Sequence, residues 1–352
     1  MRLFRFNLVV TLLLVAGSAH AAFRAADFVV VPAAAYLVGL NSSDWRTDVE
    51  ITNVDSVPLD VMVVLLPTGG QDNQAWFNNF QNHLGGRSGD GFGHVDDRLK
   101  DIGPGQAVTL NDIIKSTWGS TYTGGTKGAL LLFAYEAGSF TQTTPPGGRP
   151  KKIVVNSRTY NLGRTSNDKE TTYGQQVPGI PWYDYLDPHQ KDRGFDHALF
   201  TGIREDVEFR TAVGLVNISD RLTRLEVGLK LVAADGTVLK DLGLTLQPLA
   251  HVQFDNAATS LFGLPADQWV VGATLIVSVK QWQSAAANPV PALIAYVSRV
   301  DNITNDPVYI EQAWEKELAW ECVYNGECTE GTGIPMRPGT RRPLLPPTPQ
   351  GP

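Results

Sequence analysis

Apolar and polar residues alternate along a nine-residue stretch that occurs twice in the chain. The first copy runs from Trp45 to Asn53 (WRTDVEITN) and the second from Phe209 to Asn217 (FRTAVGLVN). Each copy begins with an aromatic residue, continues with Arg-Thr and ends on Asn. A period of two residues is that of a strand with one buried face. The pattern therefore predicts a strand in each copy and indicates that the chain is internally duplicated.

Further stretches recur in the same order. The matched ranges are 59–65 with 225–231, 102–110 with 246–254, 128–135 with 272–279, and 153–161 with 294–302. Asn111-Asp112 and Asp255-Asn256 predict a short helix in each copy, because Asp and Asn side chains favour helix N-termini. Two units of several short strands each fit two tandem antiparallel sandwiches.

The repeated pattern consists of a strand that ends in Asn, an apolar strand, a Pro-Gly turn and later strands. This pattern resembles the immunoglobulin-like modules that occur in tandem in secreted bacterial proteins. Residues 28–163 and 197–306 resemble paired copies of such a module. The resemblance implies an all-β fold of two tandem antiparallel immunoglobulin-like β-sandwich domains. Neither copy has the core disulfide of antibody domains.

The ends of the chain differ from these two units. Residues 1–21 have the charged, apolar and small-residue parts of a signal peptide, which predicts secretion to the periplasm or the extracellular space. We then expect a first sandwich at 22–163, a linker at 164–196 and a second sandwich at 197–306. An extension at 307–330 begins with a short helix from Ile310, and a Pro-rich disordered tail follows at 331–352.

The net charge limits the classes of binding partner, and the two cysteines indicate a disulfide. The formal charge of −7 argues against nucleic acid or an anionic membrane as the main partner. Cys322 and Cys328 flank a segment that fits a short hairpin, which sets them opposite each other. In an exported protein this arrangement predicts a disulfide.

The main difference between the copies is an insertion at 71–100, where the second copy has only a short Asp235-Gly236 turn. Long insertions in sandwiches often bind ligands, and exposed aromatic rings give flat surfaces for sugars or peptide side chains. The alternative is that the aromatics cover the sheet edge of their own domain. Candidate ligand-binding residues are Trp76, Phe77, Phe80 and Phe92 in the insertion, with Trp182 and Tyr183 in the linker, which we expect to pack across both domains.

Candidate metal ligands and catalytic groups are scattered. His83, His94, Asp96 and Asp97 could bind a divalent metal, but their spacing matches no closed site and scattered surface roles are commoner. The oxygens of Asp301, Asn302, Asn305 and Asp306 could bind Ca²⁺ in a loop, with a turn held by Asx side chains as the alternative. Asp187, His189 and Asp192 could act as acid and base, although no nucleophile motif accompanies them. No cofactor is predicted.

Matched polar residues favour structural roles. Arg46 and Arg158 recur as Arg210 and Arg299, and active sites seldom duplicate so evenly. The sequence therefore predicts a non-catalytic secreted protein that mediates extracellular or surface interaction or assembly, with an extracellular protein or glycan as partner and no membrane insertion. The alternatives are a glycan-binding module that uses 71–100 and a secreted hydrolase.

Overall fold

A computed structural model of the chain describes residues 24–39, 43–86, 91–140, 148–164, 170–313 and 342–346. The predicted signal peptide, Cys322, Cys328 and most of the predicted C-terminal helix lie outside these ranges. Within the described part of the chain, no helix is long and apolar enough to span a membrane.

Nine strands come from the first half of the chain. They are β1 (Phe28–Val38), β2 (Asp44–Asn53), β3 (Leu59–Pro67), β4 (His83–Leu84), β5 (Ala107–Leu110), β6 (Thr126–Glu136), β7 (Ile153–Arg164), β8 (Glu170–Pro178) and β9 (Ile180–Pro181). Helices α1 (Gln74–Asn78) and α2 (Ile113–Trp118) and the 3-10 turns Phe80–Asn82 and Asp97–Leu99 connect them.

The second half repeats this series. Its elements are the 3-10 turn Pro188–Arg193, β10 (His197–Glu205), β11 (Phe209–Asn217), β12 (Thr223–Val232), β13 (Val238–Leu246), β14 (His251–Phe254), α3 (Ala257–Ser260), β15 (Val270–Ser284), β16 (Leu293–Asp301) and β17 (Pro307–Ile310). The alternating strands are where the sequence pattern predicts them, and α2 and α3 follow the Asx pairs.

Each half forms two antiparallel sheets, with the same strand order in both. In the first half β1-β6-β3-β4 packs on β5-β2-β7-β8, and in the second β10-β15-β12-β13 packs on β14-β11-β16-β17. The prediction of an all-β fold of two duplicated antiparallel sandwiches is confirmed. The first strand pairs along most of its length with the sixth, and in the first sandwich the end of β1 also pairs with β2, at Leu37 and Val38. The immunoglobulin order places the first strand beside the second, so the agreement is in the architecture of two packed sheets.

The Arg-Thr repeat supports an irregular first strand in both copies. The pairing of β1 with β6 shifts between Val31 and Ala34, and the Thr47 hydroxyl then accepts a hydrogen bond from the Ala35 N–H at 2.8 Å. In the second copy the buried Thr211 hydroxyl donates to the Arg204 carbonyl at 2.6 Å, where β10 is also irregular. Both threonines therefore satisfy backbone groups that the sheet leaves unpaired.

The sheet that contains β11 and β16 is buried on both faces, and this joins the two sandwiches. Leu215 points into the second core, whereas Val216 and Ile294 belong to the apolar cluster of the first sandwich. An antiparallel sheet commonly exposes one face to water. Burial of both faces therefore requires a second layer that covers the outer face. The first sandwich supplies that layer.

The segments at the domain boundaries differ from expectation. Strand β8 pairs with β7 and β9 pairs with β1, so much of the predicted linker 164–196 belongs to the first sandwich. Ile310 ends strand β17, beside β16, rather than beginning a helix. The tail was predicted to be disordered, but its described residues 342–346 pack on the first sandwich, with Leu344 buried and Arg342 ion-paired to Asp27.

One matched pair from the sequence is out of register by a residue. In the sheets Asn53 pairs with Ile153 and Asn217 pairs with Leu293, so the residue equivalent to Arg299 is Thr159. The prediction that Arg158 and Arg299 occupy equivalent positions is therefore wrong. A shift of one residue places a side chain on the opposite face of the sheet.

Candidate functional site

Arg46 and Arg210 occupy equivalent positions at the start of β2 and β11, yet their surroundings differ in charge. The Arg46 guanidinium forms ion pairs with Asp44 and, at 3.1 Å, with Asp112. Its central carbon also lies 4.6 Å from the centre of the Tyr36 ring. Two carboxylates and an aromatic face thus compensate the charge of this mostly buried side chain.

Arg210 instead contacts two neutral amides. Its terminal nitrogens donate to the Oδ1 atoms of Asn302 at 3.0 Å and Asn305 at 2.8 Å. The residue is only 8% exposed, and this burial lowers the pKa of the guanidinium, against the opposing effect of the charges on Asp255 and Asp301. The N-cap of the following helix is Asp112 in the first copy and Asn256 in the second, which removes one carboxylate from the site.

A small cavity lies beside Arg210, between the two sandwiches. Its volume is about 100 Å³. The first sandwich contributes Ala33, Ala34, Ala35, Leu37, Trp45, Lys127, Thr159 and Gln175 to its lining, and the second contributes Arg210, Ala212, Gln253, Asp255, Asn256, Tyr296, Ser298 and Val300. A mostly apolar lining with a few polar groups, at a boundary between domains, is typical of small-molecule sites.

A wider groove lies at the end of the second sandwich, on the other side of Arg210. It has a volume of about 410 Å³ and is bordered by Trp269, Val207, Gln268, Asn256 and Asn302. Trp269 is 63% exposed and Val207 is 70% exposed. Gly125 stands where the matched ranges place Trp269 in the first copy, so only the second sandwich has this exposed aromatic ring.

Two carboxylates also line the groove, and both are engaged by the protein. Glu205 accepts a hydrogen bond from the backbone N–H of Ala258 at 3.0 Å, at the start of α3, and burial raises its pKa. Asp206 accepts from Arg204 at 2.7 Å. These groups are therefore tied into the loops that shape the groove.

The aromatic residues of the insertion are packed into the protein rather than presented to solvent. Phe77 is fully buried against Phe133, with ring centres 6.2 Å apart, and Phe80 packs edge-on against Phe92 at 5.5 Å. Trp76 is half-buried and its ring nitrogen donates to the Leu65 carbonyl at 2.7 Å. The expectation of flat aromatic faces open to ligand is wrong for these side chains, which cover the edge of β3 in their own sandwich.

The linker aromatics also pack inward. Tyr183 is buried and its hydroxyl donates to the Ala25 carbonyl at 3.1 Å. Trp182 is half-buried and donates to Asp27 at 2.8 Å. Both contact the first sandwich, while their neighbour Leu186 pairs with Leu293 of the second. The segment thus spans both sandwiches, as expected, but its rings do not form a ligand surface.

The candidate metal ligands of the insertion do not converge. His83 is buried and its Nε2 lies 2.9 Å from the Phe77 carbonyl oxygen, while His94 stacks edge-on against Trp118. Asp96 caps the turn Asp97–Leu99 and pairs with Arg98. Among the described residues no cluster of three or more His, Cys, Asp or Glu side chains could hold a metal ion.

The remaining acidic candidates occupy turns. The Asp301 carboxylate accepts hydrogen bonds from the backbone of Ile303 at 2.8 Å and Thr304 at 2.7 Å, and the Asp306 N–H donates to the Thr304 hydroxyl at 3.2 Å. Asp187 caps its 3-10 turn and lies 3.2 Å from the His189 ring nitrogen. The segment from Asp301 to Asp306 thus forms an Asx turn, which is the alternative to Ca²⁺ binding given above. Asp187 and His189 bring a carboxylate and an imidazole together.

Known proteins give little comparison for this geometry. No protein-family model and no curated protein sequence matches the chain. Among solved structures, a Bacteroides uniformis beta-glucuronidase 2 covalently bound to cyclophellitol-6-carboxylate aziridine aligns with 76% of this chain and 24% of its own, at 10% identity and a TM-score of 0.14. Similarity at that level shows neither a shared fold nor a shared activity.

Sequence reasoning missed both Arg210 as a charged group without a carboxylate partner and Trp269 as an exposed ring. The sequence does contain a signal for the surroundings of Arg210, because the second copy has Asn256 where the first has Asp112. The signal for Trp269 was its match to Gly125. Differences between duplicated copies therefore point to these positions better than the length of the insertion does.

Proposed function

We propose that this chain is an exported, non-catalytic binding protein that recognises an extracellular partner at the end of its second sandwich. The observation that carries the proposal is the exposed Trp269 ring at the border of the groove. Trp is among the residues that contribute most to protein interfaces, and burying its ring on a partner would remove a large apolar surface from water.

A protein is the partner that this surface favours. Exposed aliphatic residues occur near Trp269. Val207 shares its groove, and Val271 lies two residues further along the chain, in β15. Ile303 follows Asn302, whose side chain donates to the Val207 carbonyl at 3.3 Å. Ile303 is 84% exposed. Exposed apolar groups clustered within a polar rim are typical of interaction sites.

A glycan is the second candidate, supported by the groove itself. Trp269 borders a space that Asn256, Asn302 and Gln268 line with amide groups. Amide side chains can donate and accept hydrogen bonds at once, as sugar hydroxyls require. A sugar ring stacked on Trp269 would place its hydroxyl groups in reach of such partners.

The variant Trp269→Ala tests both candidates against Val238→Ala, which removes an exposed apolar side chain from strand β13. Binding of the purified proteins is measured by crosslinking to surface proteins of the producing organism and on a glycan array. The proposal predicts that Trp269→Ala loses the binding that Val238→Ala retains. Equal binding by both variants would remove the groove as the recognition surface.

A further inference from the structure

Arg210 lines the cavity between the sandwiches and forms no ion pair among the described residues, although the charges of Asp255 and Asp301 act on it. Its charged lining residues among those described are Lys127, Asp255 and Arg210. Lys127 and Asp255 form an ion pair across the domain boundary at 2.5 Å. The Arg210 guanidinium donates hydrogen bonds to the neutral oxygens of Asn302 and Asn305. The three charged lining residues therefore sum to one positive charge.

A buried guanidinium without a carboxylate is costly, since removing a charge from water is compensated mainly by an opposite charge. The duplicated copy shows the compensated arrangement. There Arg46 has the same position and is paired with Asp44 and Asp112. The second copy has Asn256 in place of Asp112, so it lacks the carboxylate that pairs with the equivalent arginine in the first copy.

The rest of the cavity fits the apolar part of a small acid. The irregular segment Ala33–Ala35 of β1 lies on one side, and Ala212 and Val300 lie on the other. Small side chains at these positions create the space between two sheets that are otherwise closely packed. The volume is smaller than the cavity of about 150 Å³ that accepts benzene in an engineered protein, which limits a ligand to roughly six non-hydrogen atoms.

We propose that this cavity binds a small monocarboxylate, with its carboxylate on the Arg210 guanidinium and its hydrocarbon part against the alanines. The planar fork of donors on arginine matches the two oxygens of a carboxylate. Because residues of both sandwiches line the cavity, the bound acid would also hold the sandwiches together. The cavity shares Arg210 and Asn256 with the groove of the proposed partner surface, but Trp269 lines only the groove.

Butyrate is a suitable probe, and butyramide is its neutral counterpart of the same shape. Binding to the full chain is measured by calorimetry and by the rise in thermal midpoint that a ligand specific for the folded state produces. We expect butyrate to bind and butyramide to bind at least tenfold more weakly. Equal affinity for the two compounds would overturn the proposal, because the guanidinium would then play no part.

Two matched substitutions assign the site. Arg210→Lys keeps the charge but removes the fork of donors and should weaken butyrate binding at least tenfold, whereas Arg46→Lys in the first copy should leave it unchanged. Trp269→Ala should also bind butyrate as the original chain does, which separates this site from the partner surface. Unchanged affinity in Arg210→Lys would overturn the proposal.

A further variant guards against misfolding as the cause of lost binding. Asn256→Asp recreates in the second copy the residue that pairs with Arg46 in the first. We expect this variant to have a higher thermal midpoint without ligand, because the new carboxylate pairs with Arg210. For the same reason, butyrate should no longer raise the midpoint further. If Asn256→Asp instead binds butyrate as well as the original chain, Arg210 is not the binding group.

Discussion

Asn53 and Asn217 end equivalent strands in the two sandwiches and make the same set of hydrogen bonds. The Asn53 amide donates to the carbonyls of Val57 at 2.9 Å and Ile102 at 2.7 Å, and its oxygen accepts from the Asp55 N–H. Asn217 likewise donates to two loop carbonyls, at 2.9 Å each, and accepts from the N–H two residues further on. Each side chain thus ties two loops to the end of one strand.

Substitution of either asparagine by alanine should destabilise its sandwich. Both residues are fully buried, so the change leaves loop carbonyls without a donor and costs about 2 kcal/mol or more. Urea unfolding of Asn53→Ala and Asn217→Ala measures the loss. The exposed Asn111 provides the control, and a loss no larger than that of Asn111→Ala would show that water replaces these bonds.

Much of the fold could be predicted because the sequence contains the same pattern twice. Strands β2, β3 and β11 lie where alternation placed them, and the repeated Arg-Thr and Asn residues marked equivalent positions. Alternation reports which residues face a core, and it needs no knowledge of the neighbouring strand. It therefore predicted the elements better than their pairing.

The sequence-based predictions were wrong where tertiary contacts determine the pairing of a strand or the exposure of a side chain. Nothing in the polar segment 170–178 shows that it pairs with β7 as an additional strand. The aromatic residues of the insertion suggested a surface, because composition alone cannot separate a ring that covers a sheet edge from one that faces water. Arg158 and Arg299 were matched by sequence, yet the register of the sheet separates them by one residue.

Gly214 and Tyr296 face each other across β11 and β16, and the tyrosine ring fills the space that a side chain on the glycine would need. A β-carbon at Gly214 would lie 2.0 Å from the ring Cζ and 2.4 Å from the hydroxyl oxygen. Tyr296 is itself buried and its hydroxyl donates to Gln253 at 2.7 Å, so the ring cannot move away freely.

Gly214→Ala should therefore destabilise the second sandwich by about 3 kcal/mol, the upper part of the range for overpacking. Gly243→Ala in β13 is the matched control, because the nearest atom to its added carbon would be 4.0 Å away. Urea unfolding compares the two variants. Equal stability would mean that the sheets separate easily enough to accept the extra carbon.

Two buried histidines should make stability depend on pH below neutrality. Burial lowers the pKa of His83 to about 4, against a hydrogen bond with the Phe77 backbone, and burial with the nearby Lys127 charge lowers the pKa of His251 to about 3. Well above pH 6.5 both rings are neutral in the folded and unfolded states and contribute no pH dependence. Below the ordinary pKa of about 6.5 only the unfolded chain takes up the protons.

The free energy of unfolding should therefore fall as pH decreases, by about 1.4 kcal/mol per pH unit for each histidine once the pH is well below 6.5. Urea unfolding between about pH 7 and pH 5 tests this before most carboxylates titrate. His83→Leu and His251→Leu should each remove the contribution of one histidine to the dependence of the unfolding free energy on pH, whatever their effect on stability at neutral pH. A slope unchanged by either substitution would place the dependence in other groups.

The insertion 71–100 should prove essential for folding of the first sandwich. Phe77, Leu84 and Leu99 are buried in its core, and Asn73 donates to the Leu249 carbonyl of the second sandwich at 2.8 Å. Replacing the segment with a short Asp-Gly turn would expose the apolar edge of β3 and break that link between the sandwiches. We expect the trimmed protein to lose cooperative unfolding of its first half, as monitored by urea unfolding and hydrogen exchange.

A single substitution separates this role from ligand binding. Phe77→Ala removes a fully buried ring and should cost about 3 to 5 kcal/mol, because it leaves a cavity beside Phe133. Trp269→Ala, on the exposed rim of the groove, should change stability by no more than about 0.5 kcal/mol. A trimmed protein that folds with its original stability would contradict this assignment, and residues 71–100 would then again be candidates for a recognition surface.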